Sequence, residues 1–99
     1  MARFVVFRTA VVIRIDTFRD GPVLVMHVAG SLAGSDVDVL GETVAVEGLP
    51  HRVELAEVEF VDAEGASALL GLEARGAALV GAEPYVELLL RARPGSTLE

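Results

Sequence analysis

Few residues in this 99-residue chain could do chemistry. The imidazoles are His27 and His51, and the sequence has neither Cys nor Lys. Without Cys there is no disulfide framework, thiolate nucleophile or Cys-ligated metal site. Without Lys there is no phosphate-loop lysine, Schiff base or Ser–Lys pair. The two histidines lack the paired acid spacing of a metal site, and His27 reads as a strand residue with one ring nitrogen satisfied. No order of Ser, His and Asp suggests a nucleophile. Gly30-Ser31-Leu32-Ala33-Gly34 is too poor in glycine, and lacks the downstream Lys, to cradle a nucleotide. These absences point to no catalytic residue, no metal and no cofactor. Carboxylates at helix starts remain. Asp62 is a natural N-cap, and Glu64 in the turn that follows gains about 0.3–1 kcal/mol from the helix dipole. Asp36, Asp38, Glu42 and Glu47 form a second acidic set, which reads as a solvated helix face.

The elements that must position these groups alternate between strand and helix periods. Val11-Val12-Ile13-Arg14-Ile15 is a β-branched strand run, Asp20-Gly21-Pro22 a turn, and Val23 to Ala29 a second strand, giving a hairpin. Arg3 to Phe7 reads either as a further N-terminal strand or as extended chain. Gly30 to Gly34 breaks the strand signal. Ser35 with Asp38 three residues on then resembles a capping box, opening a helix from about Asp36 to Val46. Gly41 weakens that helix by about 1 kcal/mol relative to Ala, unless close packing against the sheet wants no side chain there. Gly48-Leu49-Pro50 ends it.

His51 to Leu55 and Val58 to Val61 are suited to strands. Asp62 to Gly65 punctuates, and Ala66, Leu69 and Leu70 share a helical face that runs on to Arg75. Gly76 suits the C-terminal cap. Ala77 to Gly81 is a short strand. Glu83-Pro84 opens a last helix with Val86, Leu89 and Leu90 inward, and Arg91 and Arg93 suit its C-terminal dipole. The order is ββαβαβα, an α/β layer with helices over at least one face of a sheet.

Composition narrows the function classes. The chain is 53% apolar, dominated by Val, Leu and Ala, with no Trp and one Tyr. A domain of this size buries only about 60–65% of its unfolded surface, so one well-filled core must carry it. A formal net charge of −7 is the wrong sign for nucleic-acid phosphates. No apolar run approaches a membrane span, and Met1-Ala2-Arg3-Phe4 lacks the pattern of a signal peptide, so no membrane insertion and a cytoplasmic location are expected. Residues 1–95 read as one domain, and 96–99 as a tail left from an expression vector, with Leu98-Glu99 after Gly95-Ser96-Thr97.

The stretch Glu54-Leu55-Ala56-Glu57-Val58-Glu59-Phe60-Val61-Asp62-Ala63-Glu64-Gly65 resembles the STAS domains, named for sulphate transporters and anti-sigma factor antagonists. The family pattern is an acid, a short connection, a hydrophobic strand, then Asp-Ser-Ser-Gly opening a helix. Gly30 after the second strand, Gly76 before the next, and Gly81-Ala82-Glu83-Pro84-Tyr85-Val86 add to the match, which covers roughly residues 11 to 93. Each motif is loose, and the weight lies in their order and spacing. The resemblance implies a single STAS-like α/β domain, a four- to five-stranded mixed sheet with about three helices packed on it.

It also implies a bacterial, non-enzymatic regulatory module for partner switching in transcription. Stand-alone members bind an anti-sigma factor that is also a serine kinase, which phosphorylates the second Ser of the motif and so breaks the complex. Phosphate adds about −1.5 to −2 charges at a helix N-terminus. Here Asp62 and Gly65 match, while Ala63 and Glu64 replace both serines. The acid that many phosphorylated members carry after the second strand falls on Ala33. These two losses argue against an ordinary kinase substrate and leave Glu64 as an unphosphorylatable or phosphomimetic residue; Ser67, about 4.5 Å further along the helix axis, is a weaker alternative acceptor. The expected partner surface is Asp62, Ala63, Glu64, Gly65 and Ser67, with Ser31, Ala33 and Ser35 of the neighbouring loop and the adjoining acidic helix. Two rivals stand beside the anti-sigma factor partner: an accessory subunit of an ABC-transporter ATPase in lipid transport, and a small-ligand or nucleotide-binding α/β domain. Homodimerisation is left open.

Overall fold

A computed structural model describes residues 2–6 and 12–91. The strands are β1 (Ala2–Val6), β2 (Val12–Asp20), β3 (Val23–Leu32), β4 (Arg52–Val61) and β5 (Ala78–Val80). The helices are α1 (Asp36–Glu47), α2 (Ala63–Ala74) and α3 (Pro84–Arg91). The strands form one mixed sheet in the order β1-β2-β3-β4-β5. β1, β2 and β3 pair antiparallel, and β3, β4 and β5 pair parallel. This is the expected α/β architecture, and the N-terminal segment is a strand over Ala2–Val6. Phe7, Arg93 and the 96–99 tail lie outside the described residues.

Alternation explains the sheet. Ile13, Ile15 and Thr17 of β2, then Met26 and Val28 of β3, point inward and are buried. The aliphatic ones among them meet Leu40 of α1, Ala66, Leu69 and Leu72 of α2, and Val86 and Leu90 of α3 in one cluster. The helices therefore share one face. The other face is mostly charged, with Phe18 and Val25 as an apolar pair among the polar side chains. Arg14 pairs with Asp16 at 3.0 Å there, and Arg52 on β4 reaches Glu54 at 3.4 Å and Asp20 on β2 at 3.8 Å. To reach β2, Arg52 must lay its stem across β3. Val25, its register partner on β3, is fully buried although no helix covers it.

β4 departs from the two separate runs read in the sequence. It is one strand whose buried residues are Val53, Leu55, Val58 and Val61, spaced two, three and three apart. The β3–β4 register shifts between His27 and Ala29 and again between Gly30 and Ser31, with the extra residue on β4 each time. Bulges keep four aliphatic side chains inward despite the broken period. His51 ties the strand's start: its Nδ1 accepts the Leu24 N–H at 2.9 Å, and its own backbone N–H donates to the Leu24 carbonyl.

The end of α2 follows the sequence closely. Gly76 has φ +115°, its N–H donates to the Glu73 carbonyl, and the Ala77 N–H donates to the Leu72 carbonyl. Those two bonds complete a Schellman motif, which needs a residue at ease in the left-handed region. The start of α1 does not follow the sequence. Ser35 makes no side-chain cap bond and sits in helical backbone, so the expected Ser35–Asp38 box is absent. Asp36 does that work, its Oδ2 accepting the Ala33 N–H at 3.2 Å, and it is buried rather than part of a solvated acidic face. Gly41 has nothing within 4 Å of where a Cβ would stand, so the sheet does not require it.

Arg91 fastens α3 to α2. Its Nη1 and Nη2 donate to the two Glu73 carboxylate oxygens at 3.0 and 3.2 Å, while Nε donates to Glu87 at 2.9 Å. The Arg91 hydrogen bonds, with Coulomb attraction adding, hold the Glu73 carboxyl below the usual carboxylate range. A lowered folded pKa stabilises above the unfolded value and is lost as pH falls through the folded one. Glu73→Gln is therefore expected to lower stability slightly at neutral pH, by an amount that shrinks as pH falls below about 4.5. Urea unfolding of both proteins across the acid range checks this, and a gap that stays constant into strong acid contradicts it.

Candidate functional site

The candidate site lies where α1 and α2 begin. Asp62 ends β4 in extended backbone and caps α2, its Oδ1 accepting the Gly65 N–H at 2.7 Å. Its other oxygen, Oδ2, accepts the Gly34 N–H at 2.9 Å, across 28 residues of sequence. One carboxylate thus pins the first turn of α2 to the loop that opens α1. The Asp62 N–H in turn donates to the Leu32 carbonyl at the end of β3.

Gly65 makes the close approach. A Cβ added there would overlap the Leu32 carbonyl oxygen and crowd the Leu32 side chain. Its place in the motif thus has a steric cause, and α2 starts directly over the end of β3. Asp62, Gly65 and Leu32 together fix where the side chains of the first turn stand.

Gly34, Ser35, Val37 and Asp38 on one side, with Ala63, Glu64, Ser67 and Ala68 on the other, line a shallow depression between the helix starts. Of the expected residues, Ser35, Ala63, Glu64 and Ser67 meet on its exposed surface. Asp62 and Gly65 lie beneath, as positioning residues. Ser31 is not in the loop: it belongs to β3, paired in register with Phe60, because the strand continues to its last core residue, Leu32. Ala33 contributes its backbone N–H to Asp36 and does not line the depression.

Gly34 falls in the expected loop and Asp38 on the expected acidic helix, while Val37 and Ala68 are lining residues that the sequence did not single out. Ala68 stands one turn after Glu64 and is legible from the helical period. The α1 residues arrive only through the Asp62–Gly34 tie, which has no local signal. Asp38 and Glu64 make the depression negative, and no basic residue lines it. Neither carboxylate has an ion-pair partner among the described residues.

His27 lies on the helix-free face, with Nδ1 4.0 Å from Asp16 Oδ2, and His51 serves the strand junction. Among the described residues no group of three His, Asp or Glu could hold a metal ion, and no helix is long and apolar enough to cross a membrane. Comparison with protein-family models and with curated proteins gives no match to the chain.

Proposed function

We propose that the chain is a non-enzymatic regulatory module of STAS type, resembling an anti-sigma factor antagonist. It docks an anti-sigma factor/kinase-type partner through the starts of α1 and α2. The carrying observation is the pair of hydrogen bonds that the Asp62 carboxylate accepts from the Gly34 and Gly65 N–H groups, which presents Ser35, Glu64 and Ser67 on one exposed face. Glu64 occupies the position that the family resemblance assigns to the phosphoacceptor serine. It holds one permanent negative charge where a phosphate would bring nearly two. The surface is set in a partly switched state that no kinase can change at that position.

Affinity capture from the native lysate, with bound proteins identified by mass spectrometry, tests the partner class. A GHKL-type kinase retained by the chain, and retained more strongly with Glu64→Ser, is the expected result. Retention of a transporter ATPase instead overturns the anti-sigma assignment. Strong binding of nucleotides or lipids by the purified chain, in titration calorimetry, overturns docking itself.

A further inference from the structure

We propose that the trough between α1 and α2 is a two-fold interface for a second copy of this chain. The depression at the helix starts runs on between the helices, since Val37 and Ala68 line both stretches. The further stretch is lined by Leu40, Gly41, Val44, Gly71, Leu72 and, at its far end, Arg75. The trough is thus apolar along its length, acidic at the α1 and α2 starts through Asp38 and Glu64, and basic at the other end. These three charges have no ion-pair partner among the described residues.

That pattern is complementary to itself when reversed. A two-fold axis through the middle of the trough lays Arg75 of each copy against Asp38 and Glu64 of the other, at both ends at once. The middle is where Gly41 and Gly71 lie, both exposed and both with nothing within 4 Å of a built Cβ. Nothing inside the monomer calls for glycine at either place, whereas helices of two copies approach closely only over such positions. The net charge of −7 opposes association, so the paired ends must supply the register. The dimer covers Glu64, and dimerisation and partner docking therefore exclude one another.

Sedimentation equilibrium of the purified chain, up to millimolar concentration, reads this without any partner and so independently of the docking reading. A monomer–dimer equilibrium is expected. Arg75→Glu and Glu64→Arg should each raise the dissociation constant by roughly tenfold, and the two together should recover most of the loss. Gly71→Leu fills the trough and should leave only monomer, with a melting temperature no lower than that of the parent. A chain that stays monomeric throughout overturns the proposal. So does a dimer indifferent to both charge reversals and to Gly71→Leu.

Discussion

Gly65→Ala is expected to destabilise the protein by roughly 3–5 kcal/mol, most of the stability of a domain this size. The added methyl meets the Leu32 carbonyl oxygen, a backbone atom at the end of a central strand. It cannot rotate away as a side chain would, so α2 must lift from β3. Lifting stretches the Asp62 N–H bond to that same carbonyl and exposes Ala66 and Leu69 behind it. The same substitution six residues further along gives an internal control. Gly71→Ala meets nothing and should stabilise by about 0.5–1 kcal/mol through helix propensity. Urea midpoints of the two variants, at equal m-values, should move in opposite directions. Equal shifts would mean that the approach of α2 to Leu32 is not what Gly65 serves.

Asp62→Ala carries the second largest effect, about 2 kcal/mol. Roughly half is the lost N-cap of α2 and half the lost bond to Gly34. Asp62→Asn separates the two. One amide oxygen still caps Gly65, but the amide group on the other side is a donor and repels the Gly34 N–H. The Asn variant should therefore lose about half as much stability. Its amide exchange should quicken at Gly34 and stay slow at Gly65. Comparable exchange at both sites in the Asn variant would remove the basis for treating Asp62 as the tie between the helices.

The second of these tests touches the part of the site that sequence did not reveal. Local signals were legible: Asp62 as a cap, Gly76 as a C-terminal stop, and the aliphatic period that buries Ala66 and Leu69. So was the mixed layering of helices on a sheet, since strand and helix periods alternate along the chain. Three things were hidden, two because a distant group decides them and one because a neighbouring residue competes. β4 carries two extra residues against β3, which breaks the alternation and makes one strand look like two. Ser35 and Asp38 have the types of a capping box, yet Asp36 takes the Ala33 N–H and Ser35 turns helical. Asp62 then holds Gly34 from across the fold, and only that bond brings Asp38 beside Glu64. Ser31 was misplaced for the related reason that Leu32 draws the strand onward into the core.

On the proposed reading, Glu64 supplies a fixed charge at a docking surface, and not merely a favourable first-turn carboxylate. Both roles place a negative charge at the same helix start, but only one of them is felt by a second protein. Calorimetric titration of the captured kinase with the parent chain, Glu64→Ser and Glu64→Ala tests it most directly. Both substitutions should raise affinity by roughly tenfold, while all three proteins unfold within about 1 kcal/mol of one another. Equal affinity of the three chains for that partner would contradict it.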